Sequence, residues 1–113
     1  MKIYHNPRCS KSRQALAMLQ EAGSEVEIFE YLKTPPTPDE LADVISKLGI
    51  TSEQLVRKKE TLFEELGLHK RTLTEEQWIQ VLCKNPKLIE RPIVISGNRA
   101  VVGRPPELIQ TLL

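Results

Sequence analysis

Residues 5–13 read His-Asn-Pro-Arg-Cys-Ser-Lys-Ser-Arg and set a single cysteine among cations at the start of a helix. Ile3 and Tyr4 precede this stretch as a short apolar strand, and Ala15, Leu16, Leu19 and Ala22 follow it at helical spacing. Cys9 therefore falls on the loop that opens the helix. There the unpaired backbone N–H groups and the helix dipole favour negative charge. One geometry serves two purposes, since it stabilises a thiolate and cradles an oxyanion. His5, Arg8, Lys11 and Arg13 push both effects the same way. Cys9 is a candidate nucleophile.

Ser12 stands where a dithiol oxidoreductase carries its second cysteine, so this loop cannot close a local disulfide. The chemistry implied is a monothiol cycle that draws on an external reductant. Ser12, one turn after Cys9, either donates to the thiolate or is a helix-start residue facing solvent. His5 reads equally as a satisfied strand-end histidine or as an imidazolium that lowers the thiol pKa. The second cysteine, Cys83, lies on an apolar helical face with Ile79 and Leu82 and reads as a small buried hydrophobe. Two cysteines and two histidines (His5, His69) show no metal-ligand spacing, and no metal is expected.

Three arginines stand out by context. Arg57 follows the apolar pair Leu55-Val56, Arg91 precedes Pro92 at the start of a strand, and Arg104 lies between Gly103 and Pro105-Pro106. Singly, each reads as a surface charge. Together, arginines at strand and helix ends suit a bidentate clamp on a tetrahedral oxyanion, because the guanidinium fork matches two oxygens at once.

The elements that must position these residues follow from local signals. Residues 2–4 read as a strand, and 9–22 as a helix closed by Gly23. Val26 to Tyr31 alternates as a second strand does. Thr37-Pro38-Asp39-Glu40 is a capping box with proline at the first helical position, and Gly49 ends that helix. Thr51 to Gln54 is a second capping box, opening a short helix through Val56. A helical turn follows at 63–66, and Thr74 to Gln77 forms a third capping box for a helix stopped by Asn85-Pro86. Pro92 to Ser96 reads as a strand that turns at Gly97-Asn98 into Arg99 to Val102. Pro106 to Leu113 reads as a closing helix. The order β-α-β, helical block, β-β-α is that of an α/β protein with a thioredoxin-like mixed sheet. The block at about residues 37–88 reads as a helical insertion, and residues 1–113 as one domain. In such folds a cis-proline faces the cysteine loop, which makes Arg91–Pro92 a candidate cis bond.

Composition narrows the classes further. A net charge of +1 gives no broad nucleic-acid footprint. No apolar run is long enough to span a bilayer. The first residues lead straight into a strand, leaving no signal peptide, and two widely separated cysteines do not make a secreted disulfide framework. A cytoplasmic protein is expected.

Several longer motifs accompany the cysteine loop: Ile3 to Pro7 with Cys9 and Ser12-Arg13; Tyr31-Leu32 with Thr34 to Thr37 and Asp39 to Leu41; Leu55-Val56-Arg57-Lys58; Glu64 to Leu68; Arg91-Pro92-Ile93-Val94; and Gly103-Arg104-Pro105. In these the chain resembles, nearly end to end, the glutaredoxin-linked arsenate reductases, a thioredoxin-fold family with a helical insertion. The resemblance implies an oxidoreductase of arsenic detoxification that converts arsenate to arsenite. Cys9 would be the nucleophile that forms a thiol-arsenate adduct, tuned by His5, with Arg57, Arg91 and Arg104 as oxyanion ligands. It further implies glutathione as co-substrate with no bound cofactor, and glutaredoxin as the protein partner of a monomer. Two alternatives stay open. Spx-type regulators of the same fold family bind RNA polymerase, but they resemble a dithiol switch with a cysteine where this chain has Ser12. The other is a thiol oxidoreductase of this family with a different substrate, since Ser10-Lys11 stands where the best-known detoxifying members carry Gly-Thr.

Overall fold

Ile3 and Val94 sit opposite each other on neighbouring strands, and the first of two compact units is built around them. The computed structural model describes residues 1–113 and divides them into one unit of 1–34 with 91–113 and a second of 35–90. In the first unit, β1 (Lys2–Tyr4), β2 (Glu27–Phe29), β3 (Ile93–Ser96) and β4 (Arg99–Val102) form a sheet in the order β2-β1-β3-β4. β1 and β2 are parallel, joined across α1 (Ser10–Glu21), whereas β3 runs antiparallel to both β1 and β4. This is the thioredoxin-like mixed sheet expected.

One sheet face is covered by Ala15 and Leu19 of α1 and by Ile109 and Leu112 near the C-terminus, closing over Ile3 and Val94. Full burial of each of the leucine, isoleucine and valine side chains contributes about 1.5–3 kcal/mol, and of alanine less. The helix is thus held by packing along one stripe, Ser12, Ala15 and Leu19, rather than by its modest amphipathicity. Gly23 takes a φ of 77° just beyond its end, a conformation that costs a residue with a Cβ. Gly97 has a φ of 59° and Asn98 keeps a negative one, so the β3–β4 turn needs glycine only at its first position.

The second unit holds α2 (Pro38–Leu48), α3 (Thr61–Glu65) and α4 (Glu75–Lys84), with short 3₁₀ turns between them. Both long helices start with complete capping boxes, Thr37 with Glu40 and Thr74 with Gln77. α2 packs on α4, and Phe63 stacks on Trp78 with ring centroids 6.4 Å apart. Glu75 reaches back to Ser52, accepting from its hydroxyl at 2.6 Å and its N–H at 3.0 Å.

Four local expectations are corrected. β2 is only three residues long because β1, its sole partner, offers no more backbone to pair with; Tyr31 already lies in a turn. Residues 53–55 form a 3₁₀ turn that stops short of Val56, which is extended and pairs with Ile89. The Thr51–Gln54 box nonetheless makes both reciprocal bonds. The closing segment Pro106–Leu112 is a 3₁₀ helix, and its buried residues Pro106, Ile109 and Leu112 recur every third position, the period of that helix. Cys83 is half-buried, not buried, while Trp78 and Leu82 take the packed positions of α4.

Candidate active site

The loop ahead of α1 is built by backbone geometry set at Asn6. Its side-chain oxygen accepts from the Arg8 N–H at 3.0 Å, and its carbonyl accepts from the Cys9 N–H at 3.0 Å. Cys9 then becomes the N-cap of α1 in an extended conformation, with its carbonyl taking the first helical bond from Arg13. The residue is 9% exposed and its thiol is in no disulfide. Burial alone would raise its pKa. That is outweighed by the N–H of Ser12, the Arg91 guanidinium and the N–H of Lys11, and the thiol ends below its usual value of 9.0. The sulfur forms no capping bond of its own, so these N–H groups act on it as the open end of the helix dipole.

Beneath the cysteine lies a buried polar pair. Ser12 is fully buried and His5 is 6% exposed; the His5 Nδ1 and Ser12 Oγ are hydrogen-bonded at 2.7 Å. The Asn6 N–H also donates to the Ser12 oxygen, at 3.0 Å. His5 itself titrates below 6.5. Burial is the main cause; Glu30 pulls the other way, and Arg13 adds to the lowering. At neutral pH the ring is therefore uncharged. Of the two readings of His5, the satisfied strand-end histidine is the one this geometry matches, and its contact with the site runs through Ser12. Nor does Ser12 face solvent.

Arg91 and Arg104 come to the same sulfur from the opposite end of the unit. The Arg91 side chain bonds to the Cys9 thiol and lowers its pKa by charge. A terminal nitrogen of Arg104 stands 4.0 Å from the sulfur, while its Nε donates to the Arg91 carbonyl at 2.8 Å. The Arg91–Pro92 bond is cis, as expected; so is Arg104–Pro105, which the sequence did not suggest. Cys9, His5, Ser12, Arg91 and Arg104 are thus brought together within the first unit. Arg57 belongs to the second unit, where it is ion-paired with Glu60 at 2.7 Å and donates to the Lys87 carbonyl at 3.3 Å. No group of three or more His, Cys, Asp or Glu side chains is placed to hold a metal, and no helix is long and apolar enough to cross a membrane.

Two features escaped the sequence. Glu30 acts on His5 only because β2 lies beside β1, a pairing far apart in the chain. Gly103 directly precedes Arg104, and its missing side chain leaves room for the ring of Pro92, a neighbour that nothing local in the sequence reveals.

Chemically, this is a thiol poised to ionise at a helix start, flanked by two guanidinium groups, positively charged donors whose fork suits an anion. On this sheet, the arrangement defines a thioredoxin-like protein with a single cysteine beside two arginines. The chain matches the ArsC family over residues 4–112 and belongs to it. It is 50% identical to the uncharacterised protein YfgD of Escherichia coli K12 over 96% of this chain and 92% of that one. To an arsenate reductase of Neisseria meningitidis serogroup A it is 46% identical, covering 100% of this chain and 97% of the other. A solved arsenate reductase from Vibrio cholerae superposes with a TM-score of 0.94 at 40% identity, over 100% of this chain and 98% of that one.

Proposed function

We infer that this protein is a glutathione- and glutaredoxin-dependent arsenate reductase. The observation that carries the reading is the Cys9 sulfur with the side chains of Arg91 and Arg104 gathered on it at the start of α1. Arsenate as the substrate is supported by relatives in the same family named arsenate reductase, such as that of Neisseria meningitidis.

The thiolate attacks the arsenic of an arsenate held by Arg91 and Arg104. An S–As bond forms, one arsenate oxygen leaves as water after protonation, and arsenic stays in the +5 state. Glutathione thiolate then attacks the Cys9 sulfur. An S–S bond forms, the S–As bond breaks with its electron pair left on arsenic, and arsenite departs in the +3 state. Glutaredoxin, a second thiol, attacks the Cys9–glutathione disulfide and returns Cys9 to the thiolate, taking up the glutathione moiety. Ser12 and His5 hold the loop that presents the sulfur, with the Ser12 N–H favouring its charged form.

The test is a coupled assay with arsenate, glutathione and glutaredoxin on the wild type and on Cys9→Ser. Turnover is expected in the first and not in the second. If the wild type is inactive with both reductants supplied while Cys9 still reacts with alkylating agents, the same-family thiol oxidoreductase with another substrate takes the place of this reading.

A further inference from the structure

Gly103 keeps an ordinary backbone conformation that any residue adopts, so its being glycine is not a matter of φ. The constraint is space. A Cβ there would stand 3.0 Å from Cγ of Pro92 and 3.1 Å from Cδ1 of Ile109. The other four glycines have positive φ and open space around the missing Cβ. Gly103 alone is in close packing. Pro92 is also bonded to it, since the Gly103 N–H donates to the Pro92 carbonyl at 2.8 Å. One residue further, Arg104 Nε donates to the Arg91 carbonyl, so two consecutive residues of one loop grip two consecutive residues of the other.

We propose that Gly103 is a positioning residue: its missing side chain lets the 103–104 loop close on Pro92 and so fixes where the Arg91 guanidinium stands against Cys9. This rests on the reading of Cys9 and Arg91 as reacting thiol and anion ligand. The contact at 3.0 Å involves a ring atom of proline, which cannot rotate away as a flexible chain end can. A methyl at 103 therefore displaces Pro92, and the residue bonded to its nitrogen is Arg91. The same displacement lengthens the Arg104–Arg91 bond, so both guanidinium groups shift together.

The experiment is Gly103→Ala, read by the pH profile of Cys9 alkylation with iodoacetamide and by KM against kcat for arsenate. Alkylation at pH 7 is expected to slow at least about threefold as the thiolate fraction falls. KM is expected to rise about tenfold, the equivalent of one lost interaction of about 1.4 kcal/mol, with kcat far less changed. Gly97→Ala is the control: it strains a positive-φ turn and lowers stability, yet should leave the profile on that of the wild type. Gly103→Ala/Ile109→Val removes the Ile109 Cδ1 contact and keeps the Pro92 one. It should relieve part of the crowding while the Cys9 profile stays shifted, which keeps the test usable if the single variant folds poorly. A folded Gly103→Ala, alone or with Ile109→Val, whose profile matches the wild type overturns the proposal. Because alkylation needs no arsenate, a wild type inactive on arsenate would defeat the functional reading without touching this result.

Discussion

Removing the Ser12 hydroxyl tests the buried pair under the cysteine. Ser12→Ala deletes an oxygen that is fully buried and bonded both to His5 Nδ1 at 2.7 Å and to the Asn6 N–H at 3.0 Å. Each group left without its partner costs about 1–2 kcal/mol, so the variant should lose about 2–4 kcal/mol. For a chain of this size 1 kcal/mol lowers Tm by roughly 4 °C, which predicts a fall of roughly 8–16 °C by circular dichroism. His5→Ala should cost less in the Ser12→Ala background than alone, with a coupling of about 1 kcal/mol or more in a double-mutant cycle. The backbone N–H of residue 12 survives the substitution, so Cys9 alkylation at pH 7 should stay within about threefold of the wild type. A fall in Tm below about 3 °C with fully additive double-variant costs would refute the reasoning, because the pair would then hold nothing.

Arg91→Ala should shift the alkylation profile of Cys9 to higher pH and weaken protection of the thiol by sulfate, with the fold intact by circular dichroism. Arg91→Lys should restore part of the pH effect but little of the protection, since a lysine lacks the fork that grips two oxygens. Ser52 holds the Glu75 carboxyl below its usual 4.5, first through its hydroxyl and then its N–H, against a small opposing effect of burial. A carboxyl with a depressed folded value stabilises fully above 4.5 and loses that contribution as pH falls through the folded value. Glu75→Gln should therefore flatten the acid limb of stability measured by urea unfolding. Thr37→Ala and Thr74→Ala each remove a cap and should each cost about 1 kcal/mol in urea midpoints, with Cys9 reactivity unchanged.

What the sequence revealed was local. Thr37 with Glu40 and Thr74 with Gln77 form their capping boxes because all the partners lie within one turn. Cys9 could be placed at a helix start for the same reason: Asn6, Pro7 and the apolar spacing of α1 fix the loop without help from elsewhere. β2 was overestimated because its length is set by β1, which alone pairs with it. The C-terminal segment looked helical, and only its packing against the sheet selects the tighter helix with Pro106, Ile109 and Leu112 inward. At the site, residue types were legible and partners were not. His5 looked able to act on Cys9 directly, whereas burial keeps it neutral and its bond goes to Ser12. The spatial need for Gly103 depends on Pro92 and Ile109, neither of which neighbours it in sequence.

The central claim is that Cys9 forms a bond to arsenic that glutathione then displaces. Intact-protein mass spectrometry of the wild type with glutathione but no glutaredoxin tests it most directly, because the cycle then halts at the mixed disulfide. One glutathione on Cys9 is predicted when arsenate is present, and none or a trace when it is omitted. The same amount of adduct with and without arsenate, or none with it, would contradict the account.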